Sequence, residues 1–317
     1  MLAVLTVTFP FFALVLCGYV ATQARVLPLT AIGGLNSFVL FFALPCMLFR
    51  FGASTPIGQL LDPVAAAIYL FAGLLLIAGT VAATLRRWGW NDAAFGALVT
   101  AFPNSGFMGV PLLVALLGAA SAGPVIMTIA LDMVVTTSLC IALSRLGLGG
   151  GSAGRALRMA FKGVLVNPLP WAIGLGAVAS ALHWQLPGPV DKTIAMLADA
   201  ASPVALFTIG AVLARSQINQ SEQVAPRHYV PLALVKLVLH PVLIWLACQA
   251  ALAAGWPLSR PTVIALVLTA ALPSASNVSL LAERFDAHGG RVARIILVST
   301  ALAFLSFSAA VAWLTGE

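Results

Sequence analysis

The chain has 317 residues, of which 61% are hydrophobic and only 8% charged, and its formal net charge is +7. A water-soluble domain carries roughly a quarter charged residues, so this composition excludes a soluble enzyme or a soluble binding module and places the chain in a lipid bilayer. The mean hydropathy of +1.06 agrees.

A spanning helix needs about 20 apolar residues. Ten such segments follow one another near 2–22, 32–51, 63–84, 93–117, 122–145, 163–182, 193–214, 229–253, 261–285 and 289–314. None has the alternating pattern of a β-barrel strand, so the expected class is an all-α membrane protein. Segment 1 holds Pro10 and Gly18. It lacks a basic start, and Leu16 before Cys17 does not suit a lipoprotein cleavage site, so it is read as a span rather than a signal peptide. Segment 2 carries Asn36, Pro45 and, at its end, Arg50. Segment 4 contains "TAFPNSGFMGVP", with Pro103, Asn104, Ser105 and Gly106 in a row. Asp132 is central in segment 5. Pro168 and Gly176 lie in segment 6, and Asp199 and Pro203 in segment 7. Segment 8 carries Lys236 and His240, and segment 9 contains "AALPSAS" with Pro273, Ser274 and Ser276, followed by Asn277. The four cysteines (Cys17, Cys46, Cys140, Cys248) stand singly and offer neither metal-ligand spacing nor a disulfide framework.

The connections are too short for a soluble domain. Of the 16 Lys and Arg, 12 fall in the odd-numbered connections and three in the even-numbered ones, with Lys236 inside a segment. The positive-inside rule puts the odd connections in the cytoplasm and both termini outside it. Topology thus accounts for the basic residues, and no nucleic-acid partner is needed.

The chain also repeats itself. "PCMLFRFGA" from Pro45 and "PVALFTIGA" from Pro203 share P-x-x-L-F-x-x-G-A at an offset of 158, and Pro10/Gly18 and Pro168/Gly176 share that offset. Pro103 and Pro273 are 170 apart; the extra 12 residues fit "SQINQSEQVAPR" before segment 8. Segments 1–5 (residues 1–150) therefore match segments 6–10 (residues 151–317). Five is odd, so the second copy is inverted, as in secondary transporters.

Pro103 and Pro273 fall near mid-membrane. A proline removes a backbone donor, and lipid offers no substitute partner. Small polar residues follow each one, and Asn and Ser are good N-caps. Each break is expected to yield a helix N-terminus with positive partial charge and free N–H groups, which together form an anion site. Pro103, Asn104, Ser105, Gly106, Pro273, Ser274, Ser276 and Asn277 are the candidate binding residues. An isolated intramembrane proline usually only kinks its helix, and Pro10, Pro45, Pro168 and Pro203 are read that way. Intramembrane charges are costly and usually functional, which makes Asp132, Lys236, Asp199 and His240 candidates for ion coupling. The plainer reading is an Asp132–Lys236 or Asp199–Lys236 pair tying helices together. Asn36 either lines the path or bonds a neighbouring helix, and Arg50 snorkels to the surface.

"LNSFVLFFALPCMLF", "AFPNSGFMGVPLL", "SPVALFTIGAVLA" and "LPSASNVSLLAERF" occur in order and together resemble the auxin efflux carrier family over essentially the whole chain, its bacterial malonate-transporter-like members above all. The resemblance implies ten helices in two inverted repeats, with broken helices 4 and 9 crossing at the substrate site. It also implies a scaffold of helices 1, 2, 6 and 7, often dimeric, and a transport part of helices 3–5 and 8–10 that moves as an elevator. Pro103, Asn104, Pro273, Ser274 and Asn277 fall at that crossing. The short "GLGGGSAGRALRM" connection argues against regulation through a long central loop.

These readings converge on a carrier of small organic anions in the cell inner membrane, with lipid and a small carboxylate as its partners and no cofactor beyond Na+ or H+ as coupling ion. One charge moved across 100 mV is worth about 2.3 kcal/mol, so importing a dianion costs about 4.6 kcal/mol and needs cations, whereas export does not. The alternatives are a cation/proton antiporter, which normally places carboxylates next to the breaks, and a channel with short re-entrant halves. An enzyme is not expected, since no catalytic constellation is present.

Overall fold

The computed structural model describes residues 2–56, 58, 62–146, 158, 165–218 and 224–316. Arg155 and Lys162, counted above among the loop charges, and the boundary at residues 150 and 151 lie outside them.

The described residues are helical throughout apart from short connections and one isolated backbone bridge. In chain order the helices are α1 (Leu2–Gln23), α2 (Ala31–Phe38), α3 (Leu44–Ser54), α4 (Pro63–Ala101), α5 (Val110–Leu117), α6 (Ala122–Leu131), α7 (Thr137–Ser144) and α8 (Pro168–Ala181). They continue with α9 (Gly188–Ile218), α10 (Val230–Leu234), α11 (His240–Ala253), α12 (Arg260–Ala271), α13 (Asn277–Arg284) and α14 (Gly289–Thr315). Four π-helical turns interrupt longer runs: Val39–Ala43, Ser105–Gly109, Asp132–Thr136 and Val235–Leu239.

Three helix starts use one local device. Asp62 accepts from the Val64 and Ala65 N–H groups, Asn167 from Leu169 N–H and Ser259 from Thr262 N–H, each with a proline at the first or second helical position. Proline has no N–H to leave unsatisfied there, and the cap residue takes the next ones.

Among the described residues, seven stretches are long and apolar enough to cross a membrane: Val4–Gln23, Ala31–Ser54, Pro63–Ala101, Ala119–Ser144, Gly188–Ile218, Val230–Ala253 and Gly289–Thr315. The sequence led us to expect ten, and the difference has physical causes. Pro63–Ala101 is one helical run that contains a break at Gly89 (φ 74°), a backbone conformation that glycine adopts without penalty. Thr80 Oγ1 lies 3.4 Å from Thr100 Oγ1, whereas 20 residues of straight helix would put them about 30 Å apart. The run therefore folds back on itself as two arms. Ser105–Leu117 and Arg260–Ala271 are shorter because prolines interrupt their segments, and Pro168–Ala181 is the third short apolar helix.

The helices associate in two sets. In one, α1 lies along α9, α3 lies along both α8 and α9, and α2 also meets α9. In the other, α4 meets α7 and α11, α11 meets α12, and α14 meets α10, α12 and α13. The first set is held by glycines. A Cβ on Gly18 would run into the Phe207 carbonyl, and one on Gly210 into the Val15 carbonyl. A Cβ on Gly176 would come within 2.7 Å of the Phe49 carbonyl, and one on Gly52 within 3.2 Å of Gly176 Cα. Close backbone approach of this kind increases the van der Waals packing that, with interhelical hydrogen bonds, drives helix association in lipid, where no hydrophobic effect operates between helices. Gly18 and Gly176, Gly52 and Gly210, and Phe49 and Phe207 are all 158 residues apart, so the α1–α9 and α8–α3 contacts use corresponding residues.

Polar contacts mark the two ends of the molecule. At one end, Asp92 accepts from His288 N–H (2.8 Å) and from Arg291 Nη1 (3.3 Å), and the Arg291 guanidinium sits 3.9 Å from the Trp88 ring centroid. Asn91 and Arg145 both donate to the Phe285 carbonyl, at 3.0 and 3.2 Å. This gathers the Gly89 turn, the end of α7 and the α13–α14 turn on one side. At the other end Ser180 donates to the Thr55 carbonyl at 2.8 Å. The Arg291 side chain is only 10% exposed and that of Asp92 23%. Asp92→Asn leaves a largely buried cation without its counter-charge, and we expect about 1–2 kcal/mol of destabilisation, read as a lower melting temperature in detergent. An unchanged melting temperature would reduce the contact to a crossing of two solvated side chains.

Candidate functional site

The two breaks meet. Pro103 and Ser274 form an antiparallel bridge, in which Asn104 N–H donates to the Pro273 carbonyl (2.8 Å) and Ala275 N–H to the Phe102 carbonyl (3.0 Å). The interruption in each helix thus supplies partners for the other, which lipid could not. Pro103, Asn104, Ser105, Pro273, Ser274 and Ser276 are buried, while Gly106 and Asn277 are half-buried.

The expectation of side-chain N-caps needs correction. Neither Asn104 nor Ser276 makes a side-chain capping bond. The arm after the first break begins as the Ser105–Gly109 π turn, whose Met108 and Gly109 N–H groups donate to the Asn104 backbone carbonyl (3.1 and 3.0 Å). The backbone closes the turn by itself, so the cap side chains are left for other partners. Ser105 Oγ donates to the Pro103 carbonyl (3.4 Å) and Ser279 Oγ to the Ser276 carbonyl (2.8 Å). Ser274 N–H donates to Ser299 Oγ of α14 at 3.2 Å. Two buried polar atoms at the crossing, Ser274 Oγ and Asn277 Oδ1, have no protein partner. Buried polar atoms are nearly always paired, so each such exception calls for an explanation; a ligand is one.

Two cavities flank the crossing. The larger, about 820 Å³, lies between α3, α5 and α9 and is lined by Arg50, Gln185, Asp191 and Asp199, together with Pro111 and Val114 of the arm after the first break. The smaller, about 60 Å³, is lined by Asn36, Arg215, Ser276, Asn277 and Ser279. Only the smaller reaches residues of a break, and it places Asn36 beside Ser276 and Asn277. Volume is therefore a poor guide to the chemistry here. The larger space is a vestibule whose mouth carries the Arg50–Asp199 ion pair (3.4 Å), with side chains 41% and 77% exposed.

Asp199 thus sits apart from Lys236, and the pairing of those two is set aside. The remaining ionisable candidates do gather. Asp132, at the start of the third π turn, accepts from Tyr69 OH (2.6 Å) on Oδ2 and from Thr136 Oγ1 (2.9 Å) on Oδ1. Lys236, in the fourth π turn, donates to the Ala270 carbonyl (2.6 Å) and lies 3.0 Å from His240 Nδ1. Among the described residues no direct ion pair joins Asp132 to Lys236; the Tyr69 ring lies between their networks, 6.3 Å from the His240 ring.

Sequence reading missed Tyr69 and Ser299. Tyr69 carried a signal: an intramembrane tyrosine needs a partner for its hydroxyl, and Asp132 was already a candidate. Ser299 carried none, because a serine in a membrane helix usually bonds its own backbone, as Ser299 also does at the Ile296 carbonyl.

The family profile described as "Membrane transport protein" matches residues 3–147 and 153–311. A protein of Rhizobium meliloti (strain 1021) named "Putative malonate transporter" is 31% identical over 307 residues, covering 92% of this chain and 90% of that one. An "Uncharacterized transporter" of Methanothermobacter thermautotrophicus is 27% identical over 301 residues, 92% of each chain. The "Uncharacterized transporter YfdV" of Escherichia coli (strain K12) is 28% identical over 203 residues, 62% of this chain and 60% of that one.

Proposed function

The chain belongs to the membrane transport protein family, that of the auxin efflux carriers, and from that premise we propose that it is a secondary carrier of small carboxylates such as malonate, with the substrate held where the two broken helices cross. The observation that carries this reading is the pair of buried, unpartnered polar atoms, Ser274 Oγ and Asn277 Oδ1, beside two mid-segment helix starts. The Ser274 hydroxyl donates to a carboxylate, and the Asn277 amide does so through Nδ2, since Oδ1 only accepts, while the helix starts add favourable partial charge. The amide orientation follows whichever partner is present. Asn104 approaches the same point from the other break, and Asn36 lines the way in.

We read the architecture as ten crossings in two inverted repeats. Support comes from the paired breaks and from the glycine contacts that recur with an offset of 158. The α1, α2, α3, α8 and α9 set serves as scaffold, through which a dimer forms, and the remaining helices serve as the part that moves past it. The gathering of the Gly89 turn, the end of α7 and the α13–α14 turn at one end supports a shared cytoplasmic side for the odd connections, with both termini opposite. The large vestibule toward Arg50 and Asp199 and the small cavity at Asn36, Ser276 and Asn277 support access to the crossing from two sides as that part moves.

Malonate named in one relative is the substrate to try first. Purified protein in liposomes loaded with unlabelled malonate, with no ion gradient, is expected to take up labelled malonate by exchange, saturably. Folded, inserted protein that exchanges no malonate would remove the dicarboxylate from the reading, and monocarboxylates would then be screened by the same exchange.

A further inference from the structure

Resting on the carrier reading, we propose that the coupling ion is a proton and that the buried group binding it is the Asp132–Tyr69–His240–Lys236 cluster, which is wired to the second break through Ala270.

All four side chains are shut off from solvent: Asp132 is 1% exposed, Tyr69 2%, and Lys236 and His240 0%. Four such groups in a membrane interior are too costly to be incidental. Asp132 is faced by Tyr69 from α4, Cys140 from α7 and, farther off, Lys236 from the π turn that follows α10; His240 lies beyond the Tyr69 ring against Lys236, and the Ala270 carbonyl of α12 bonds to Lys236.

The backbone is shaped for these groups. Three of the four π turns among the described residues run into a proline two residues later, at Pro45, Pro111 and Pro241, where the wider turn absorbs the missing N–H. The turn beginning at Asp132 has no proline after it. There the Asp132 carbonyl accepts from Thr137 N–H and also from Thr137 Oγ1 at 2.8 Å, so a side chain braces this turn where the others have a proline. π-Bulges are frequent at functional sites.

The wiring is equally specific. In an unbroken helix the Ala270 carbonyl would accept from Ser274 N–H. Ser274 N–H instead donates to Ser299, and Lys236 Nζ takes the Ala270 carbonyl. The ammonium therefore stands at the carbonyl end of α12, where positive charge is favoured. Any change in the charge balance around Lys236 acts directly on the chain three residues ahead of Pro273.

His240 Nε2 is buried with no protein partner, so the cluster keeps an open position through which a proton can be relayed. With Asp132 as carboxylate and Lys236 as ammonium the cluster is neutral. A monoanion arriving at the crossing adds one negative charge to the same low-dielectric region. The balanced step is Asp132–COO⁻ + H⁺ → Asp132–COOH, with the proton drawn from water on the side the anion came from. Lys236 is then left as the counter-charge to the substrate. One proton would travel with each substrate anion.

The test uses the intact protein in liposomes without sodium, alkaline inside, with labelled malonate. Wild type is expected to accumulate malonate above its equilibrium level. Asp132→Asn should lose at least tenfold of that accumulation yet keep gradient-free exchange within about threefold, because exchange does not require the proton to leave. Tyr69→Phe keeps the ring beside His240 and removes only the hydroxyl; it should move the pH midpoint of accumulation while exchange stays near wild type. Full pH-driven accumulation in both variants would overturn the proposal, as would accumulation by wild type under a sodium gradient alone. Loss of exchange and accumulation together in folded variants would also overturn it, by making the cluster part of the transport path itself. Absence of exchange in wild type is a different failure, that of the carrier reading, and takes this proposal with it.

Discussion

Malonate exchange by Ser274→Ala is expected to fall at least tenfold, while its melting temperature stays level or rises. A serine that served only to satisfy its own surroundings would behave the opposite way. Ser274 Oγ is fully buried and bonds to nothing in the protein, so removing it sacrifices no internal hydrogen bond and relieves an unpaired polar atom. An orphaned buried group of this kind costs about 1–3 kcal/mol, and a hydrogen bond to a charged ligand contributes about 1.5–3 kcal/mol. The second range corresponds to a loss of roughly tenfold to a hundredfold in kcat/KM. Asn277→Ala and Asn104→Ala should act in the same direction. Wild-type exchange in folded Ser274→Ala and Asn104→Ala proteins would remove these residues from the site, and a large drop in melting temperature would make their role structural.

The other large effect concerns stability. Gly210→Ala is expected to lower the melting temperature strongly, because its new Cβ would meet the Val15 carbonyl and lie 2.7 Å from Tyr19 N. Both obstacles are backbone, so no side chain can swing away, and α1 and α9 must separate. Overpacking of this kind typically costs about 1–3 kcal/mol. Gly18→Ala strikes the Phe207 carbonyl across the same contact. The double variant should therefore cost less than the sum of the two, since one separation relieves both clashes. Gly174→Ala is the control: it lies two residues from Gly176 on α8, and nothing approaches its Cβ position within 4 Å. Alanine there should be neutral or stabilise by about 0.5–1 kcal/mol. Similar melting temperatures for Gly210→Ala and Gly174→Ala would mean that the glycine contact does not hold the two helices together.

Much of this was legible in the residues. Length, apolar runs and charge gave the membrane class, and the offset of 158 pointed to glycines that the fold does place at corresponding contacts. Pro103 and Pro273, each followed by small polar residues, marked two breaks that bond to each other. What could not be read was which backbone groups would pair. The sequence pattern favours Asn104 and Ser276 as caps because Asn and Ser usually are, yet the π turn closes through the Asn104 carbonyl instead. Asp132, central in its segment, stood out over Asp199, a third of the way along its own and within reach of the interface, but segment position alone does not show that Arg50 comes within reach of one and Tyr69 of the other. The recruitment of Lys236 to the Ala270 carbonyl depends on Ser274 turning away to Ser299, a three-way exchange across three helices that no local pattern encodes.

Occupancy of the crossing by substrate is open to direct measurement. Its most direct test is the rate at which a thiosulfonate reagent labels Ser276→Cys, in a background whose four native cysteines are replaced and whose malonate exchange is intact. Ser276 lines the small cavity at the second break, so saturating malonate is expected to slow labelling at least fivefold, with unchanged labelling of a cysteine placed at Gln23 on the surface of α1. Equal labelling rates at Ser276→Cys with and without malonate, in protein that exchanges it, would place the substrate elsewhere and contradict the account.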